Sequence, residues 1–261
     1  MFDIFKKSTK DRKVVVIGLD GVPYSLLHDY MTRGIMPEFS KLCKSGKLLR
    51  MKSTLPEISS VAWSSFITSK NPGQHGIFGF MEIDKQNYEY QFPNFNSLKE
   101  QTVWERDDIK TIAFNIPQTY PARAINGVMV SGFVAIDLKK ATYPERIFNH
   151  LNRMGYRIDV NAKLASENHE AFFTDLSETF EKRKKAIEYL YDNEEWQLFI
   201  GTITETDRLH HFFFDSSKSG TYFHIFEKFY RELDRFIGTM SGKAAKDGAV
   251  FLTCSDHGFT P

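Results

Sequence analysis

The sequence predicts an α/β fold in which helices flank a mostly parallel β-sheet. Three apolar runs, at residues 14–17, 198–203 and 250–253, lack the alternation of a half-exposed strand and are typical of strands covered on both faces. Segments with helical periodicity, at 172–191 and 222–237, precede the last two runs. With 261 residues, of which 41% are hydrophobic, the chain is long enough to bury a large core.

The first half of the chain contains helices whose ends are marked by proline, glycine and serine. Pro23 suits the first turn of a helix, and Gly34 and Gly46 are suitable stop residues. An apolar, periodic stretch follows Ser59 and Ser60, which places a serine at the N-cap or in the first turn of a helix. The predicted elements are helices at 23–33, 37–44 and 61–69 and a strand at 48–52.

The second half alternates between strand-like runs and segments with weak periodicity. Residues 79–101 are polar and aromatic and form an excursion from the core, whereas 137–170 have the poor periodicity of an inserted cap. The segment at 242–248 begins and ends with glycine and is a predicted turn. Predicted strands lie at 109–116, 127–133, 198–203 and 250–253. We therefore expect one α/β catalytic-type domain over residues 1–261, with a cap-like insertion at approximately 137–170.

The composition argues against several classes of partner. A formal net charge of +1 gives no reason to expect nucleic acid or an anionic membrane surface. The N-terminal residues lack the apolar stretch of a signal peptide, and no run approaches the ~18 apolar residues of a membrane span. The two cysteines, Cys43 and Cys254, give no disulfide framework. We therefore predict a cytoplasmic protein that has neither nucleic acid nor a membrane as a partner.

Acidic residues follow three of the predicted strands. They are Asp20, Asp207 and Asp256, and two of them have a histidine companion. His211 lies four residues after Asp207, on the same face of a helical turn, and His257 follows Asp256 directly. Because the carboxyl ends of parallel strands meet at one edge of a sheet, we expect these side chains to converge. Carboxylate oxygen and imidazole nitrogen are ligands for Zn²⁺ and Mn²⁺, so the pattern predicts a metal site.

Each of these features also has an ordinary structural interpretation. Asp20 and Asp256 lie near glycines and suit turns, and a serine before a helix is most often a plain cap. At the first turn of a helix, however, the free N–H groups and the helix dipole favour an oxyanion, which also makes Ser59 a candidate nucleophile. A two-metal site suits phosphoryl chemistry at such a hydroxyl. His210, beside His211, is expected to point elsewhere, toward the core or behind the metal ligands.

Four motifs, in order, carry a family resemblance over nearly the whole chain. They are the Gly-Leu-Asp-Gly sequence at 18–21, the Pro56…Ser59…Pro72…His75-Gly76-Ile77 segment, Asp207-x-x-x-His211 and the Ser-Asp-His-Gly sequence at 255–258. Together they resemble the alkaline phosphatase superfamily, and within it the prokaryotic branch of the type I phosphodiesterase / nucleotide pyrophosphatase family. The Asn-Ile-Pro-Gln-Thr-Tyr-Pro loop at 115–121 agrees with this resemblance. It implies an alkaline-phosphatase-like sheet.

The resemblance implies a two-metal mechanism. It assigns two divalent ions, Zn²⁺ in preference to Mn²⁺, one held by Asp20, Ser59, Asp256 and His257 and the other by Asp207 and His211. Ser59 matches the position of the family's nucleophile. The implied reaction is attack of Ser59 on phosphorus, a phosphoseryl intermediate, and hydrolysis of that intermediate by metal-activated water. His75 matches a motif histidine, to which we assign a structural role instead of metal binding.

Two positions depart from the family pattern. Nucleotide pyrophosphatases carry an asparagine after the His-Gly-Ile motif that helps to hold the phosphate, whereas this chain has Phe80 there. Without that amide a different group must hold the phosphoryl oxygens. The prediction of a nucleotide diester as the substrate is weakened for the same reason. The family's remaining ligand to the second metal is a histidine well downstream of 255–258, and this chain stops at Pro261. On this basis we expect the chain to be truncated at its C-terminus.

The predicted function is metal-dependent hydrolysis of a small-molecule phosphate ester, of the phosphodiesterase or nucleotide pyrophosphatase type. The alternatives are a phosphomonoesterase of the same superfamily and a weak or inactive fragment that binds metal or a phosphorylated ligand. Sulfatases carry a C/S-x-P-x-R pattern, and residues 59–63 lack both the proline and the arginine. Phosphoglycerate mutases have a long inserted domain, for which this chain has no room. A Rossmann-like nucleotide binder is disfavoured because residues 18–21 lack the G-x-G-x-x-G pattern.

Overall fold

The computed structural model describes residues 12–84, 86–105 and 109–260, which form an α/β fold. In chain order the strands are β1 (Val14–Leu19), β2 (Glu82–Ile83), β3 (Tyr90–Gln91), β4 (Thr111–Ile116), β5 (Gly127–Ser131), β6 (Thr142–Tyr143), β7 (Leu198–Ile203) and β8 (Val250–Cys254). The helices are α1 (Tyr24–Thr32), α2 (Pro37–Ser45), α3 (Ser59–Thr68), α4 (Pro72–His75), α5 (Glu145–Arg153), α6 (Leu164–Glu167), α7 (His169–Asn193), α8 (Glu205–Phe213) and α9 (Phe223–Lys246).

Six of these strands form one sheet in the order β6-β5-β4-β7-β1-β8. The pairs are parallel except β5 with β6, which is antiparallel. The strands β2 and β3 form a separate antiparallel pair within the predicted excursion at 79–101. The predicted mostly parallel sheet flanked by helices is therefore confirmed.

The strand β1 is buried on both faces, as its continuous apolar run indicates. Val15 and Ile17 face a large apolar cluster, whereas Val16 faces a smaller cluster around Trp63 of α3. The helical side chains of the large cluster include Leu26, Phe39, Leu151, Phe180 and Phe229. Helices thus cover both faces of the sheet, which is the arrangement that parallel strands require.

The helix α9 extends to Lys246, through most of the segment at 242–248 that the sequence predicts as a turn. That prediction is wrong because the apolar stripe does not stop at Ile237. Met240 and Ala244 continue it, and both are fully buried. Burial of this face outweighs the low helix propensity of the glycines in the same stretch. No helix among the described residues is both long enough and apolar enough to cross a membrane.

Two predictions about strands are also wrong. Residues 48–52 pair with no strand in the described part of the chain, and Leu49 and Met51 are 76% and 73% exposed. The strand β8 forms at the predicted place but lies at the edge of the sheet, beside β1. Val250 and Leu252 are 51% and 49% exposed instead of buried. An apolar run indicates a strand without fixing its position in the sheet.

The segment at 137–170, predicted as a cap-like insertion, contains β6, α5 and α6. The strand β6 pairs with β5 at the other edge of the sheet. Ile147 and Leu151 of α5 are buried in the large apolar cluster. The segment therefore contributes to the sheet and to the core, and its role as a cap stays a prediction.

Candidate active site

The candidate active site lies where β7, β1 and β8 end side by side. The three strands are in register there, with Gly18 of β1 opposite Thr202 of β7 and Cys254 of β8. The turns after β1 and β8 and the helix α8 after β7 therefore leave the sheet at the same edge. The aspartates on these segments are Asp20, Asp207 and Asp256.

Two of these carboxylates converge with an imidazole. The ligand atoms of Asp20, Asp207 and His257 all lie within 4.8 Å of one another. The Nε2 atom of His257 is 3.9 Å from Oδ1 of Asp20 and 3.9 Å from Oδ1 of Asp207. Asp20 is buried, and the other two side chains are 14% and 11% exposed. The expected convergence of the strand-end residues is therefore present in the fold.

Asp256 adds a third carboxylate. Its Oδ1 atom accepts a hydrogen bond from the backbone N–H of Gly21 at 3.0 Å, which ties the turn after β8 to the turn after β1. Its Oδ2 atom lies 3.5 Å from Nε2 of His257 and has no hydrogen-bond partner among the described residues, although it is buried. A buried carboxylate oxygen without a partner is costly, so this atom requires a cation or a proton.

Ser59 lies beside His257. The hydroxyl of Ser59, the first residue of α3, is 3.0 Å from Nε2 of His257. The other ring nitrogen, Nδ1, lies 2.9 Å from the carbonyl oxygen of Gly258. A carbonyl oxygen can only accept a hydrogen bond, so Nδ1 must be the donor. This contact assigns the proton to Nδ1 and leaves a lone pair on Nε2. In this structure the lone pair accepts the hydrogen bond of Ser59, and a metal ion held by Nε2 would replace that hydrogen bond.

The surroundings of Asp20 disfavour its negative charge in the absence of a cation. Burial raises the pKa of Asp20 well above its ordinary value, and the charges of Asp256 and Asp207 raise it further. Trp63 opposes this by donating its indole N–H to Oδ1 of Asp20 at 3.2 Å. Gly18 allows the indole to come so close, since a Cβ atom there would lie 2.4 Å from its ring. Paired carboxylates with raised pKa values are typical of sites that bind metals or transfer protons.

The pKa of Asp207 is also subject to opposing influences. Burial raises its pKa, while the positive charge of Arg208 is the largest influence in the opposite direction. Asp207 is the third residue of α8, so the helix N-terminus favours the ionised carboxylate.

Gly21 allows the segments to approach. Its φ is +67°, in the left-handed region that favours glycine. A Cβ atom there would lie 2.7 Å from the ring of Phe259, 3.1 Å from Oδ1 of Asp207 and 3.2 Å from Cε1 of His257. Position 21 therefore requires glycine for two reasons, the left-handed backbone and the lack of space for a side chain.

These residues fit a divalent cation. The donor atoms are carboxylate oxygens and an imidazole nitrogen with a free lone pair, and the buried Oδ2 of Asp256 lacks a partner among the described residues. Their grouping differs from the division that the resemblance implies. Asp207 lies with Asp20 and His257, which the resemblance assigns to the other ion. The division into two metal sites therefore stays a prediction.

His211 is not in this group. Its side chain is exposed, and its ring contacts that of Phe259 edge-on, with 6.0 Å between the centroids. Its assignment as a ligand stays a prediction. His210 is buried and points away from the carboxylates, as expected. Its Nδ1 atom is 2.9 Å from the carbonyl oxygen of Gly21, and its Nε2 atom is 2.8 Å from the hydroxyl of Tyr230.

His75 occupies a structural position. It is fully buried, its Nδ1 atom accepts from the backbone N–H of Ile77 at 3.1 Å, and its Nε2 atom lies 2.9 Å from the hydroxyl of Ser65. Both ring nitrogens are therefore used within the protein. This geometry agrees with the structural role assigned to His75 from the sequence.

Trp63 and the cation Arg208 are site residues that no sequence motif indicates. Arg208 lies next to Asp207, with 3.7 Å between Nη1 of the arginine and Oδ2 of the acid. Asp159, which pairs with Arg208, is 49 residues away and lies in the segment of weakest periodicity. The one available signal is the position of Arg208 directly after a candidate ligand.

Solved structures with the same fold include a phosphonoacetate hydrolase and an ectonucleotide pyrophosphatase / phosphodiesterase. The phosphonoacetate hydrolase from Sinorhizobium meliloti 1021, solved with phosphonoformate, is 17% identical and superposes with a TM-score of 0.66 over 96% of this chain and 57% of its own. Murine ectonucleotide pyrophosphatase / phosphodiesterase 5 is 12% identical, with a TM-score of 0.58 over 95% of this chain and 57% of its own. At these identities the likeness shows the fold. The chain spans 57% of the length of both structures.

A search of curated proteins finds no match to the sequence. A family model, in contrast, matches almost the whole chain. Residues 14–261, which include every strand and helix described above and all the candidate site residues, match the model of the type I phosphodiesterase / nucleotide pyrophosphatase family. The chain belongs to that family.

Proposed function

We propose that this protein is a metal-dependent hydrolase of small-molecule phosphate esters that acts through a phosphoseryl intermediate at Ser59. The observation that carries the proposal is the position of the Ser59 hydroxyl. It lies in the first turn of α3, 3.0 Å from Nε2 of His257, and His257 belongs to the group of ligand atoms with Asp20 and Asp207. A nucleophile, a helix N-terminus and metal-ligand atoms thus meet at one place.

Asp20, Asp207, Asp256 and His257 would hold the cation, and two ions are expected, with His211 and Ser59 as further ligands. Zn²⁺ is favoured and Mn²⁺ is the alternative, because carboxylate and imidazole ligands suit both. When bound, a divalent cation lowers the pKa of a hydroxyl or water and neutralises negative charge on the phosphoryl group.

The residues of the chain prepare Ser59 for attack. In the structure the hydroxyl of Ser59 donates to Nε2 of His257. When His257 holds a cation, that lone pair is occupied, so the proton of Ser59 would pass to the leaving group while the lone pairs of Oγ face phosphorus. The bond from Oγ to phosphorus forms as the bond from phosphorus to the leaving ester oxygen breaks, and the leaving group takes up the proton that Ser59 loses. A water molecule then cleaves the bond between Oγ and phosphorus, which restores the hydroxyl and releases phosphate from a monoester substrate or a phosphate monoester from a diester. The dipole of α3 stabilises the negative charge near Ser59 in both steps.

Two observations support the class of substrate and the compartment. The Sinorhizobium structure was solved with phosphonoacetate, and an inactive form of the murine protein was solved with AMP. Both are small phosphorus-containing ligands, so a small-molecule substrate is proposed here. Cys43 and Cys254 are free in the described residues, which agrees with the reducing cytoplasm.

The test is hydrolysis of p-nitrophenyl phosphate and bis-p-nitrophenyl phosphate by the natural full-length protein, with Zn²⁺ or Mn²⁺. We expect Ser59→Ala to lower kcat by at least about 10³-fold, because the covalent step is lost. Chelation of the metal should abolish activity, and Zn²⁺ should restore it. Acid quenching during turnover should leave a phosphoryl group on the peptide that contains Ser59, detected by mass spectrometry.

Ser60 supplies the matched control. It is the next residue of the same helical turn, and its buried hydroxyl has no hydrogen-bond partner among the described residues. Ser60→Ala should therefore keep nearly the full kcat. Wild-type activity in Ser59→Ala, or activity that survives complete removal of metal, would contradict the proposal.

A further inference from the structure

Arg208 places a fixed positive charge at the edge of the acidic site. Its side chain is 12% exposed, and its Nη1 atom lies 3.7 Å from Oδ2 of Asp207, which is too far for a hydrogen bond. The hydrogen bonds of Arg208 to other described side chains use Nε and Nη2, and all of them go to Asp159. Nη1 makes no hydrogen bond to any of the described residues, and it is the end of the guanidinium that faces Asp207.

Two contacts fix the direction of this guanidinium. Asp159 accepts hydrogen bonds from Nε of Arg208 at 3.0 and 3.1 Å and from Nη2 at 2.6 Å. One carboxylate thus holds the Nε–Nη2 edge of the guanidinium, whose N–H donors form a planar fork. The ring of Phe133 packs against its face, with 4.0 Å between the guanidinium carbon and the ring centroid. A guanidinium that is hydrogen-bonded at one edge and stacked on a ring loses little further side-chain entropy when it binds an anion.

Phe80 is part of the same stack. Its ring contacts that of Phe133 edge-on, with 5.3 Å between the centroids, and both rings are half-buried. Position 80 is where the family pattern has an amide that holds the phosphate, and a phenylalanine cannot donate a hydrogen bond. In this chain the aromatic pair instead lies beneath a guanidinium that points its free end toward Asp207.

The charges at the site make a cation useful. The carboxylates of Asp20, Asp207 and Asp256 repel a phosphate, whereas guanidinium is always charged and its fork matches phosphoryl oxygens.

We propose that Arg208 binds a non-bridging phosphoryl oxygen of the substrate through Nη1, in the role that the amide at position 80 has in the family, and thereby favours phosphate monoesters over diesters. This inference rests on the proposed phosphoester hydrolysis. A monoester carries about −1.5 to −2 charges near neutral pH, whereas a diester carries one negative charge, so an added cation stabilises the monoester more. Asp159 and Phe133 are positioning residues in this arrangement.

The test compares kcat/KM for p-nitrophenyl phosphate and bis-p-nitrophenyl phosphate in the wild type, Arg208→Met and Arg208→Lys. Removal of a preorganised donor to a phosphoryl oxygen is expected to lower monoester kcat/KM by about 10²–10³-fold in Arg208→Met. Diester kcat/KM should fall at least about tenfold less, because it carries less charge for Arg208 to bind. Arg208→Lys keeps the charge and loses the fork, so its ratio of monoester to diester activity should be intermediate.

Arg157 is the matched control. It pairs with Asp175 at 2.5 Å and is also partly buried, but among the described residues it makes no contact with the candidate metal ligands. Arg157→Met should leave the monoester-to-diester ratio at the wild-type value. Asp159→Asn releases the fork of Arg208 without removing its charge, and it should shift the ratio in the same direction as Arg208→Met. It keeps the proposal testable if Arg208→Met does not fold.

A binding measurement separates this inference from the proposed function. Calorimetric titration with inorganic phosphate should show affinity at least about tenfold weaker in Arg208→Met than in the wild type. If the wild type hydrolyses esters through Ser59 but the ratio and the phosphate affinity are unchanged in the Arg208 variants, the inference is wrong and the function stands. If the wild type hydrolyses neither ester but binds phosphate through Arg208, the function is wrong and the anion site stands. Failure to hydrolyse and failure to bind phosphate would overturn both.

Discussion

At the scale of single residues, Gly21 decides whether the site can assemble. Ala at this position would have a left-handed backbone and a Cβ atom 2.7 Å from Phe259 and 3.1 Å from Oδ1 of Asp207. We expect Gly21→Ala to lower the free energy of unfolding by more than about 2 kcal/mol, above the ~1–2 kcal/mol of the left-handed backbone alone. Zn²⁺ affinity should fall by at least about tenfold, because Asp207 must move. Urea unfolding and calorimetric titration measure the two effects.

Gly34 separates backbone strain from the close contacts. Its φ is +69°, nearly the same as that of Gly21, but a Cβ atom there would meet nothing within 4 Å. Gly34→Ala should therefore cost only about 1–2 kcal/mol and leave Zn²⁺ affinity unchanged. Equal losses of metal affinity in the two variants would show that the contacts around Gly21 do not hold the site.

His75 gives the protein a pH dependence away from the candidate ligands. Burial lowers its pKa below the ordinary value of 6.5, although the charge of Glu100 opposes this. As the pH falls below about 6.5 the unfolded chain binds a proton that the folded protein does not, so stability is lost on acidification. His75→Asn keeps an acceptor for the N–H of Ile77 and does not titrate. Between about pH 7.5 and pH 5.5 the wild type should lose more free energy of unfolding in urea than His75→Asn, and parallel losses would contradict this.

The residue types of the site were predictable, but their partners were not. Asp20 and His257 could be found from the sequence because they follow apolar strands whose ends must meet. Arg208 could not be interpreted in this way. Its role depends on Asp159, 49 residues earlier, and on the ring of Phe133, and only the folded chain brings these together.

At the scale of elements, a buried ion pair joins α7 to the start of α8. Arg183 and Glu205 are 0% and 1% exposed, with 2.8 Å between Nη2 and Oε1. Glu205 is the first residue of α8, two positions before Asp207, so the pair holds the helix that presents this carboxylate. Arg183→Met should destabilise the protein by about 3–5 kcal/mol in urea, since it leaves a buried charge without its partner.

An exposed ion pair on α9 serves as the control for the buried pair of Arg183 and Glu205. Arg231 and Glu227 lie 2.7 Å apart, and both side chains are more than a third exposed. Arg231→Met should change the free energy of unfolding by less than about 1 kcal/mol. If Arg183→Met costs no more than Arg231→Met, the buried pair does not secure α8. Adding Glu205→Leu to Arg183→Met should recover part of the loss, because it removes the charge left behind.

The elements themselves followed from local patterns where the pattern was strong. The apolar runs of β1 and β7 and the periodic stretch of α7 have the predicted types. Two of the predictions failed for different reasons. The stripe of α9 continues locally through Met240 and Ala244, and the glycines at 242 and 248 obscured it. The exposed edge position of β8 depends on the order of the strands, which its own segment does not encode.

At the scale of the whole molecule, the exposed edge at β8 should promote self-association. Val250 and Leu252 are about half exposed on a strand that pairs on one side with β1. Unpaired, apolar edges are templates for another chain, and a lysine on such a strand blocks this pairing. We expect the 261-residue chain to associate as its concentration rises, and Leu252→Lys to reduce this association in sedimentation velocity.

Ile136 tests whether apolar exposure alone is responsible. It is 89% exposed and lies in no strand. Ile136→Lys should leave the association of the chain unchanged. An equal reduction in both lysine variants would mean that general surface hydrophobicity, and not the strand edge, drives the contact.

The hydrogen bond between Ser59 and His257 spans 198 positions of the chain, and the bond from Gly21 to Asp256 spans 235. Contacts of such separation form only after long loops have closed, which is a slow and late event in folding. During synthesis, Asp20 and Asp207 are each exposed to cellular metal before His257 has been made, and a single carboxylate binds metal weakly. Tight metal binding would thus begin only once β8 has paired with β1, which makes an ion at this site a reporter of that pairing.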